Sequence, residues 1–182
     1  MAQGKILFTV KIFLDINSNC GDVTDMEIRI AKDHDYIQLA EMKWQHCEED
    51  DEDYNENNLS GVDKAAFMKE FIDFLAKHSE YKIFVSCDGD IVSSAMFVYL
   101  IPKIPKPNGK SKYIAYLTNV YTKKEYRNKK VGTELLRYIK EQLAKENCEL
   151  LFVWPSDKSV NWYCRNGFYS ENEIMECDLV GE

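Results

Sequence analysis

The chain has 182 residues, of which 45% are hydrophobic and 30% are charged, and its formal net charge at pH 7 is −8. This length and composition are typical of one globular domain with a sizeable core. The acidic balance argues against a general nucleic-acid-binding protein, which carries a basic surface, so we expect no nucleic acid as a partner.

Membrane spans and metal sites are not expected from the sequence. No segment approaches the roughly 20 apolar residues of a membrane span, and Lys11 interrupts the apolar run from Ile6 to Leu14. The six cysteines include no C-x-x-C pair and the three histidines show no ligand spacing, so we expect free thiols and no metal. We predict a cytoplasmic protein without a membrane partner.

Residues 1–25 differ from the rest of the chain, and we predict an N-terminal extension at 1–25 and a main domain at 26–182. The run KILFTVKIFLDI has the content of a strand, and the polar residues after it end that run. An extra edge strand is favoured. An oligomer-forming arm, which would make a homodimer, and another kind of extension are the alternatives.

The first half of the main domain is predicted to hold one strand and two helices. Glu27 to Ile30 forms the first core strand, and Asp33 caps a helix that continues to about Cys47. The acidic run from Glu48 to Asn57 is a solvated loop or a rim that attracts cationic substrates. A second helix with a broad apolar face covers Val62 to Lys77.

The second half alternates strands and helices. Asp88-Gly89-Asp90 predicts a hairpin between strands at Tyr81–Cys87 and Ile91–Ile101, and a loop rich in proline follows to Lys112. The remaining predicted elements are a strand at Tyr113–Tyr121, a helix at Val131–Ala144, a strand at Leu150–Val153, a short helix at about Lys158–Arg165 and a strand at Ile174–Leu179.

The stretch from Asn119 to Leu136 has the clearest functional pattern in the sequence. An apolar strand leads into a short cationic turn, and apolar residues then recur at helical spacing from Val131. The N-terminus of a helix leaves N–H groups unpaired and carries partial positive charge, so this arrangement predicts a phosphate site. Arg127, Lys129 and Lys130 add formal charge at the same place.

Two segments of the chain resemble the GNAT superfamily of N-acetyltransferases. Arg127 to Gly132, RNKKVG, resembles its pyrophosphate loop, Q/R-x-x-G-x-G/A, with Lys130 in the place of the first glycine. Pro155 to Phe168 resembles the closing segment N-x-x-A-x-x-x-Y-x-x-x-G-F. In that segment Tyr163, Gly167 and Phe168 match, while Ser156 and Ser159 replace asparagine and alanine.

The resemblance implies a fold. It is the α/β (mixed α+β) GNAT-type acyl-CoA N-acyltransferase fold, with a central, mixed, mostly antiparallel twisted sheet and helices on both faces. A V-shaped splay separates the fourth and fifth strands of the domain, which are Tyr113–Tyr121 and Leu150–Val153.

The resemblance also implies a transferase that uses acetyl-CoA as its acyl donor and needs no metal. Main-chain groups of 119–121 would pair with the pantetheine arm, and N–H groups of 127–133 would hold the pyrophosphate. The N–H of Val120 would stabilise the oxyanion and Tyr163 would be the general acid. The predicted cofactor-binding residues are Asn119, Val120, Tyr121, Arg127, Asn128, Lys129, Lys130, Val131, Gly132, Thr133, Ser156 and Ser159.

The acceptor and the general base are less defined. The implied reaction is direct attack of a primary amine, on a small molecule or a peptide, on the thioester. The acidic rim at Glu48–Asp53 favours a cationic acceptor. Glu41 and the rim supply candidate bases, and none is singled out.

Two other functions remain open at this point. One is a non-catalytic module that binds or senses acyl-CoA on the same fold. The other is a nucleotide-binding α/β domain, which the absence of G-x-G-x-x-G and of G-K-S/T disfavours. Lys130 raises a separate question, because a side chain there is strained if the loop needs positive φ.

Overall fold

The computed structural model describes residues 10–15, 23–54, 59–107 and 109–170. Its strands are β1 (Val10–Asp15), β2 (Val23–Ile30), β3 (Tyr81–Asp88), β4 (Ile91–Pro102), β5 (Tyr113–Thr122) and β6 (Cys148–Phe152). Its helices are α1 (Tyr36–Tyr54), α2 (Lys64–Lys77), α3 (Val131–Lys145) and α4 (Val160–Arg165), with 3-10 turns at Asp33–Asp35 and Lys124–Tyr126.

The six described strands form one sheet in sequence order, and among them only β5 and β6 run parallel. Parallel neighbours need a crossover connection, which α3 supplies between them. The last register pair of β5 and β6 is Tyr116 with Phe152, so the rest of β5, at 117–122, continues without β6 beside it. The predicted fold, including the splay between these two strands, is confirmed.

The N-terminal strand β1 lies at the edge of the sheet and pairs antiparallel with β2. An edge strand is therefore present in the segment predicted as an extension. Because β2 begins at Val23 and not at Glu27, its ladder includes residues on both sides of the predicted boundary. The division of the chain at residue 26 stays a prediction.

The core has one layer on each face of the sheet, because strand side chains alternate between the two faces. The helix α3 packs on one face through its buried apolar stripe, Val131, Leu135, Leu136, Tyr138, Ile139 and Leu143. The helices α1 and α2 cover the other face, where Leu39, Met42, Leu75, Val85, Phe97 and Tyr121 form a second buried cluster.

The acidic run is helical where the structure describes it. The helix α1 continues to Tyr54, so the loop expected from Glu48 is wrong for 48–54, while 55–57 lie outside the described residues. Partners reduce the repulsion among these carboxylates. The Trp44 indole donates to Glu48 at 2.5 Å, Arg127 pairs with Glu49, and Lys158 pairs with Asp53.

The start of α1 also differs from the expectation. Asp33 does not cap the helix but opens a 3-10 turn, and α1 begins at Tyr36. The buried carboxylate of Asp35 organises this turn, accepting the Lys32 N–H at 2.7 Å and two hydrogen bonds from Arg29. The predicted strand at Ile174–Leu179 lies outside the described residues.

Candidate functional site

A β-bulge interrupts the pairing of β5 with β4 beyond the point where β6 leaves the sheet. Asn119 and Val120 together oppose Met96, and Asn119 has a φ of +48°, a conformation that asparagine tolerates better than most residues. The Oδ1 atom of Asn119 is buried and has no hydrogen-bond partner among the described residues. A buried acceptor of this kind fits a ligand that supplies an N–H group.

The turn after β5 is fixed to the neighbouring hairpin. The Lys123 N–H donates to the carbonyl of Ser93 at 3.0 Å, and the Tyr126 hydroxyl donates to Asp88 at 3.0 Å. Burial raises the pKa of Tyr126 to about 12, with the Asp88 hydrogen bond adding to it, so the phenol keeps its proton at neutral pH. These two hydrogen bonds therefore fix the position of the turn that leads into residues 128–133.

That segment presents six consecutive N–H groups. Residues 128–133 have no protein acceptor for their main-chain N–H groups within the part of the chain that the structure describes. The first hydrogen bond of α3 runs from the Glu134 N–H to the carbonyl of Lys130 at 2.9 Å. Asn128 and Lys130 adopt φ of +62° and +63°, and turns of this kind form anion-binding concavities ahead of a helix.

Lys130 has a backbone conformation that favours glycine. It is the N-cap of α3 in the left-handed region, φ +63° and ψ 1°, where a non-glycine residue carries steric strain. The glycine of the family pattern has a conformational reason at this position. The present chain has a strained, positively charged residue within the run of free N–H groups.

Two variants at this position test the strain at constant charge. We expect Lys130→Val to unfold about 2–8 °C below Lys130→Gly, because about 1–2 kcal/mol of left-handed strain affects valine and not glycine. Differential scanning calorimetry of both variants measures this difference. Equal melting temperatures would show that the loop does not need positive φ here.

Gly132 is required by packing on β5. An added Cβ would lie 3.0 Å from the Thr122 Oγ1 atom and 3.7 Å from the Trp162 ring. The Thr122 hydroxyl cannot easily move, because it shares a 2.8 Å hydrogen bond with Ser94 Oγ. The glycine thus brings the N-terminus of α3 close to the end of β5, while its own N–H faces no protein acceptor among the described residues.

Arg127 has a different place from the other predicted phosphate ligands. Its N–H donates to the carbonyl of Lys124 at 3.2 Å, and its Nε donates to the carbonyl of Thr122 at 2.8 Å. Its Nη2 lies 2.7 and 3.0 Å from the two carboxylate oxygens of Glu49. The free N–H groups therefore begin at Asn128.

Tyr163 lies in α4 and belongs to the buried cluster that includes Ala115 and Leu117 of β5. It is 5% exposed and packs against the rings of Trp162 and Phe168 at 4.9 and 5.2 Å. Its hydroxyl has no hydrogen-bond partner within the described residues. Burial raises the pKa of Tyr163 to about 12, and Tyr116 adds to the shift, so the phenol is a proton donor at neutral pH.

An aromatic group marks the point where the two strands part. The Tyr116 ring lies 5.2 Å from that of Phe152 and 4.8 Å from that of Trp154, which is 53% exposed. The opening between β5 and β6 begins beyond these rings. Tyr116 is therefore a member of the site that the motifs did not identify.

Ser156 and Ser159 satisfy each other in the turn before α4. The Ser159 hydroxyl donates to the carbonyl of Ser156 at 2.8 Å, and the two Oγ atoms lie 3.2 Å apart. Their hydroxyls thus stabilise the turn. Their predicted contact with the cofactor stays a prediction.

Helix α1 contributes His46, which sequence reasoning missed, and Glu49, which it placed only within the acidic rim. The His46 ring lies 5.3 Å from the Tyr121 ring, and the Tyr121 hydroxyl donates to Glu49 at 2.7 Å. Together with the buried Met42, these residues follow the i, i+4, i+7 spacing of one helix face. If the predicted helix had extended through the acidic run, this spacing would have placed His46 and Glu49 on the same face as Met42.

The outer side of α1 borders an acidic cavity of about 780 Å³. Its lining residues are Trp44, Gln45, Glu48, Glu49, Asp51, Glu52, Leu59, Lys124 and Glu125. Glu41, a candidate base, lies outside this cavity and pairs with Lys64 at 2.6 Å.

Neither a membrane helix nor a metal site occurs in the described residues. No helix within them is long and apolar enough to cross a bilayer. In the same ranges, no group of three or more His, Cys, Asp or Glu side chains is arranged to hold a metal ion.

Comparisons with known proteins agree with this geometry. The acetyltransferase (GNAT) family matches residues 37–168, whereas a search of curated proteins finds no match. A GCN5-related N-acetyltransferase from Ralstonia eutropha JMP134 is 18% identical, with a TM-score of 0.62 over 84% of this chain and 98% of that chain. A predicted acetyltransferase from Clostridium acetobutylicum, solved with acetyl-CoA, is also 18% identical, with a TM-score of 0.62 over 85% and 96%.

A third solved structure is similar at lower identity. Glucosamine-6-phosphate N-acetyltransferase from Arabidopsis thaliana is 13% identical, with a TM-score of 0.55 over 85% of this chain and 99% of that chain. At these identities the likeness to solved structures is one of fold. Because the family match covers well over half of the sequence and includes the splayed strands and the loop that follows, this chain belongs to the acetyltransferase (GNAT) family of acyltransferases.

Proposed function

We propose that this protein transfers an acetyl group from acetyl-CoA to a primary amine of a small molecule or a peptide. The observation that carries the proposal is the run of six N–H groups at 128–133, which follows directly on the splayed strand β5. A diphosphate needs several converging donors and positive charge, and this segment offers both, with Lys129 and Lys130 alongside.

The residues present also fit the rest of the donor. The Oδ1 of Asn119, which has no partner within the described part of the chain, is a candidate acceptor for an amide N–H of the pantetheine arm. Among the described residues, β5 has no strand paired on the β6 side beyond Tyr116, so main-chain groups of 119–121 are candidates to pair with the arm as an added strand would. The thioester would then lie near Val120 and Tyr163.

The chemistry proposed for this site is direct transfer. The amine nitrogen attacks the thioester carbonyl carbon, and the N–H of Val120 is assigned to the oxyanion that forms. The C–S bond then breaks, and the sulfur takes the proton of the Tyr163 hydroxyl. The attacking amine loses its own proton to a base or to water. Glu41 and Glu49 already have cationic partners, and no residue is assigned to this step.

The acidic cavity beside α1 supports a cationic acceptor. Carboxylates predominate in its lining, and a field of one sign in a cleft raises the local concentration of the opposite charge. Turnover with polyamines, an aminoglycoside and peptides, measured beside neutral and acidic amines, tests this part. Activity on neutral or acidic amines alone would exclude a cationic acceptor.

Calorimetry tests the proposed donor separately from the acceptor. We expect acetyl-CoA to bind, and ATP and NAD to bind far more weakly, because only the first combines a diphosphate with a pantetheine arm for β5. Binding of acetyl-CoA without turnover of any amine would favour the non-catalytic sensing module. No binding of acetyl-CoA would contradict the proposed function.

A further inference from the structure

The Glu49 carboxylate joins three parts of the chain at the edge of the candidate site. It accepts hydrogen bonds from the Tyr121 hydroxyl at 2.7 Å and from Arg127 Nη2 at 2.7 and 3.0 Å. The Arg127 guanidinium also lies over the Tyr121 ring, 5.3 Å from its centre, and Lys124 Nζ lies 3.9 Å from the carboxylate. The Glu49 side chain is 19% exposed and that of Arg127 is 38% exposed, so the carboxylate is the more shielded side of this contact.

These contacts fix both ends of one short segment. Tyr121 precedes the turn at 122–126 and Arg127 follows it, and Glu49 reaches both from a helix more than 70 residues earlier. The run of free N–H groups starts at the residue after Arg127. The position of that run therefore depends on where Arg127 is held, and Glu49 is the side chain that holds its outer end.

The protonation states of Glu49 and Tyr121 favour a fixed structural contact over a role in proton transfer. Burial alone would raise the pKa of Glu49, but hydrogen bonds from Tyr121 and Arg127 outweigh it, and the pKa is lowered. Burial and the Glu49 hydrogen bond raise the pKa of Tyr121. Glu49 is thus ionised and Tyr121 protonated at neutral pH, with both carboxylate oxygens already engaged.

We propose that Glu49 is a positioning residue for the acyl-CoA diphosphate, acting through Arg127 and Tyr121 on the loop at 128–133. This inference rests on the proposed function, because it presumes that this loop binds coenzyme A. It assigns to Arg127 a role in shaping the loop, with the phosphates left to the main-chain N–H groups and to Lys129 and Lys130. Loss of the Glu49 contacts to Arg127 and Tyr121 should weaken binding of the acyl donor. It should leave the rate of the chemical step unchanged at saturating acetyl-CoA.

Coenzyme A affinity of Glu49→Ala and Glu49→Gln, measured by calorimetry, tests this role. We expect Glu49→Ala to weaken coenzyme A binding by about tenfold or more, because Arg127 loses its charge-assisted hydrogen bonds and no longer fixes the start of the loop. Glu49→Gln keeps an acceptor oxygen and should fall between Glu49→Ala and the unmodified protein. The kcat at saturating acetyl-CoA should stay within about twofold, since the interaction is not made to the reacting atoms.

A matched control removes a similar pair elsewhere. Glu141 pairs with Arg137 at 2.5 Å on the exposed side of α3, and Glu141→Gln should leave coenzyme A affinity unchanged. Melting temperatures show whether each variant is folded. If Glu49→Ala does not fold, Glu49→Gln and Tyr121→Phe, which removes one hydrogen bond to the carboxylate, serve in its place.

Three results would overturn the inference while the proposed function stands. Unchanged coenzyme A affinity would show that Glu49 does not act on the loop. A fall of kcat with unchanged affinity would make Glu49 a base. A rise of only the acceptor KM would make it an acceptor ligand in the acidic cavity. By contrast, failure of the unmodified protein to bind coenzyme A would contradict the proposed function itself.

Discussion

Replacement of Tyr163 by phenylalanine should lower kcat by about 100-fold or more, with coenzyme A affinity retained. The reason is that the proposed reaction needs a proton for the leaving sulfur, and the Tyr163 phenol holds one. Its pKa of about 12 keeps it protonated throughout the working range, so no loss of rate near pH 10 should come from its ionisation. Steady-state kinetics from pH 6 to about pH 10, together with calorimetry, measure both quantities.

The stability of this variant separates catalysis from packing. The Tyr163 hydroxyl has no partner within the described residues, so Tyr163→Phe should lose no hydrogen bond and keep the melting temperature. Tyr138→Phe changes another buried tyrosine of the same core layer and should leave kcat unchanged. An active Tyr163→Phe enzyme would exclude Tyr163 as the general acid, and a fall in both rate and melting temperature would indicate a packing role.

Replacement of Asp35 by alanine should destabilise the protein by about 3–5 kcal/mol, because the buried Arg29 guanidinium loses its two hydrogen bonds to a carboxylate and keeps only the more distant Glu27, 3.7 Å away. Asp35 is 1% exposed and Arg29 is 6% exposed, and their shortest contact is 2.6 Å. Urea unfolding measures the free energy. Asp33→Ala, in the same turn but exposed, should cost about 1 kcal/mol or less. Equal costs for the two substitutions would contradict this account.

The Asp35 carboxylate also makes the stability of the fold depend on pH in the acidic range. Burial alone would raise the pKa of Asp35, but Arg29 and the Lys32 N–H outweigh it, so the pKa is lowered in the folded state. A lowered pKa stabilises the fold at pH values above the unfolded value of about 3.9, and this contribution is lost as the pH falls through the folded value. The cost of Asp35→Ala should therefore shrink in strongly acidic solution, and an unchanged cost there would contradict the account.

Local chemistry made most of the fold predictable. The Asp88-Gly89 turn with apolar runs on both sides placed β3 and β4, and apolar spacing from Val131 placed α3 at its first residue. In each case the neighbouring residues in sequence determine the structure. The acidic run at 48–54 misled the prediction because its charges are balanced by residues far along the chain, Arg127 and Lys158.

The candidate site was predictable in its main chain and much less so in its side chains. The loop pattern predicts a phosphate segment at 127–133, and the main-chain N–H groups of 128–133 have no protein acceptor in the part of the chain that the structure describes. What could not be read was the direction of the Arg127 side chain, which depends on Glu49 and Tyr121 from other elements. Tyr116 was missed because its place in the site depends on where the pairing of β5 with β6 ends, and the residues next to it in sequence do not determine this.

A crystal structure with coenzyme A tests the central claim most directly. The account predicts diphosphate oxygens about 2.7–3.2 Å from main-chain nitrogens of residues 128–133, with the pantetheine arm beside 119–121 and its sulfur near Tyr163. A diphosphate bound elsewhere, or an opening between β5 and β6 that is filled by the protein's own side chains, would contradict it.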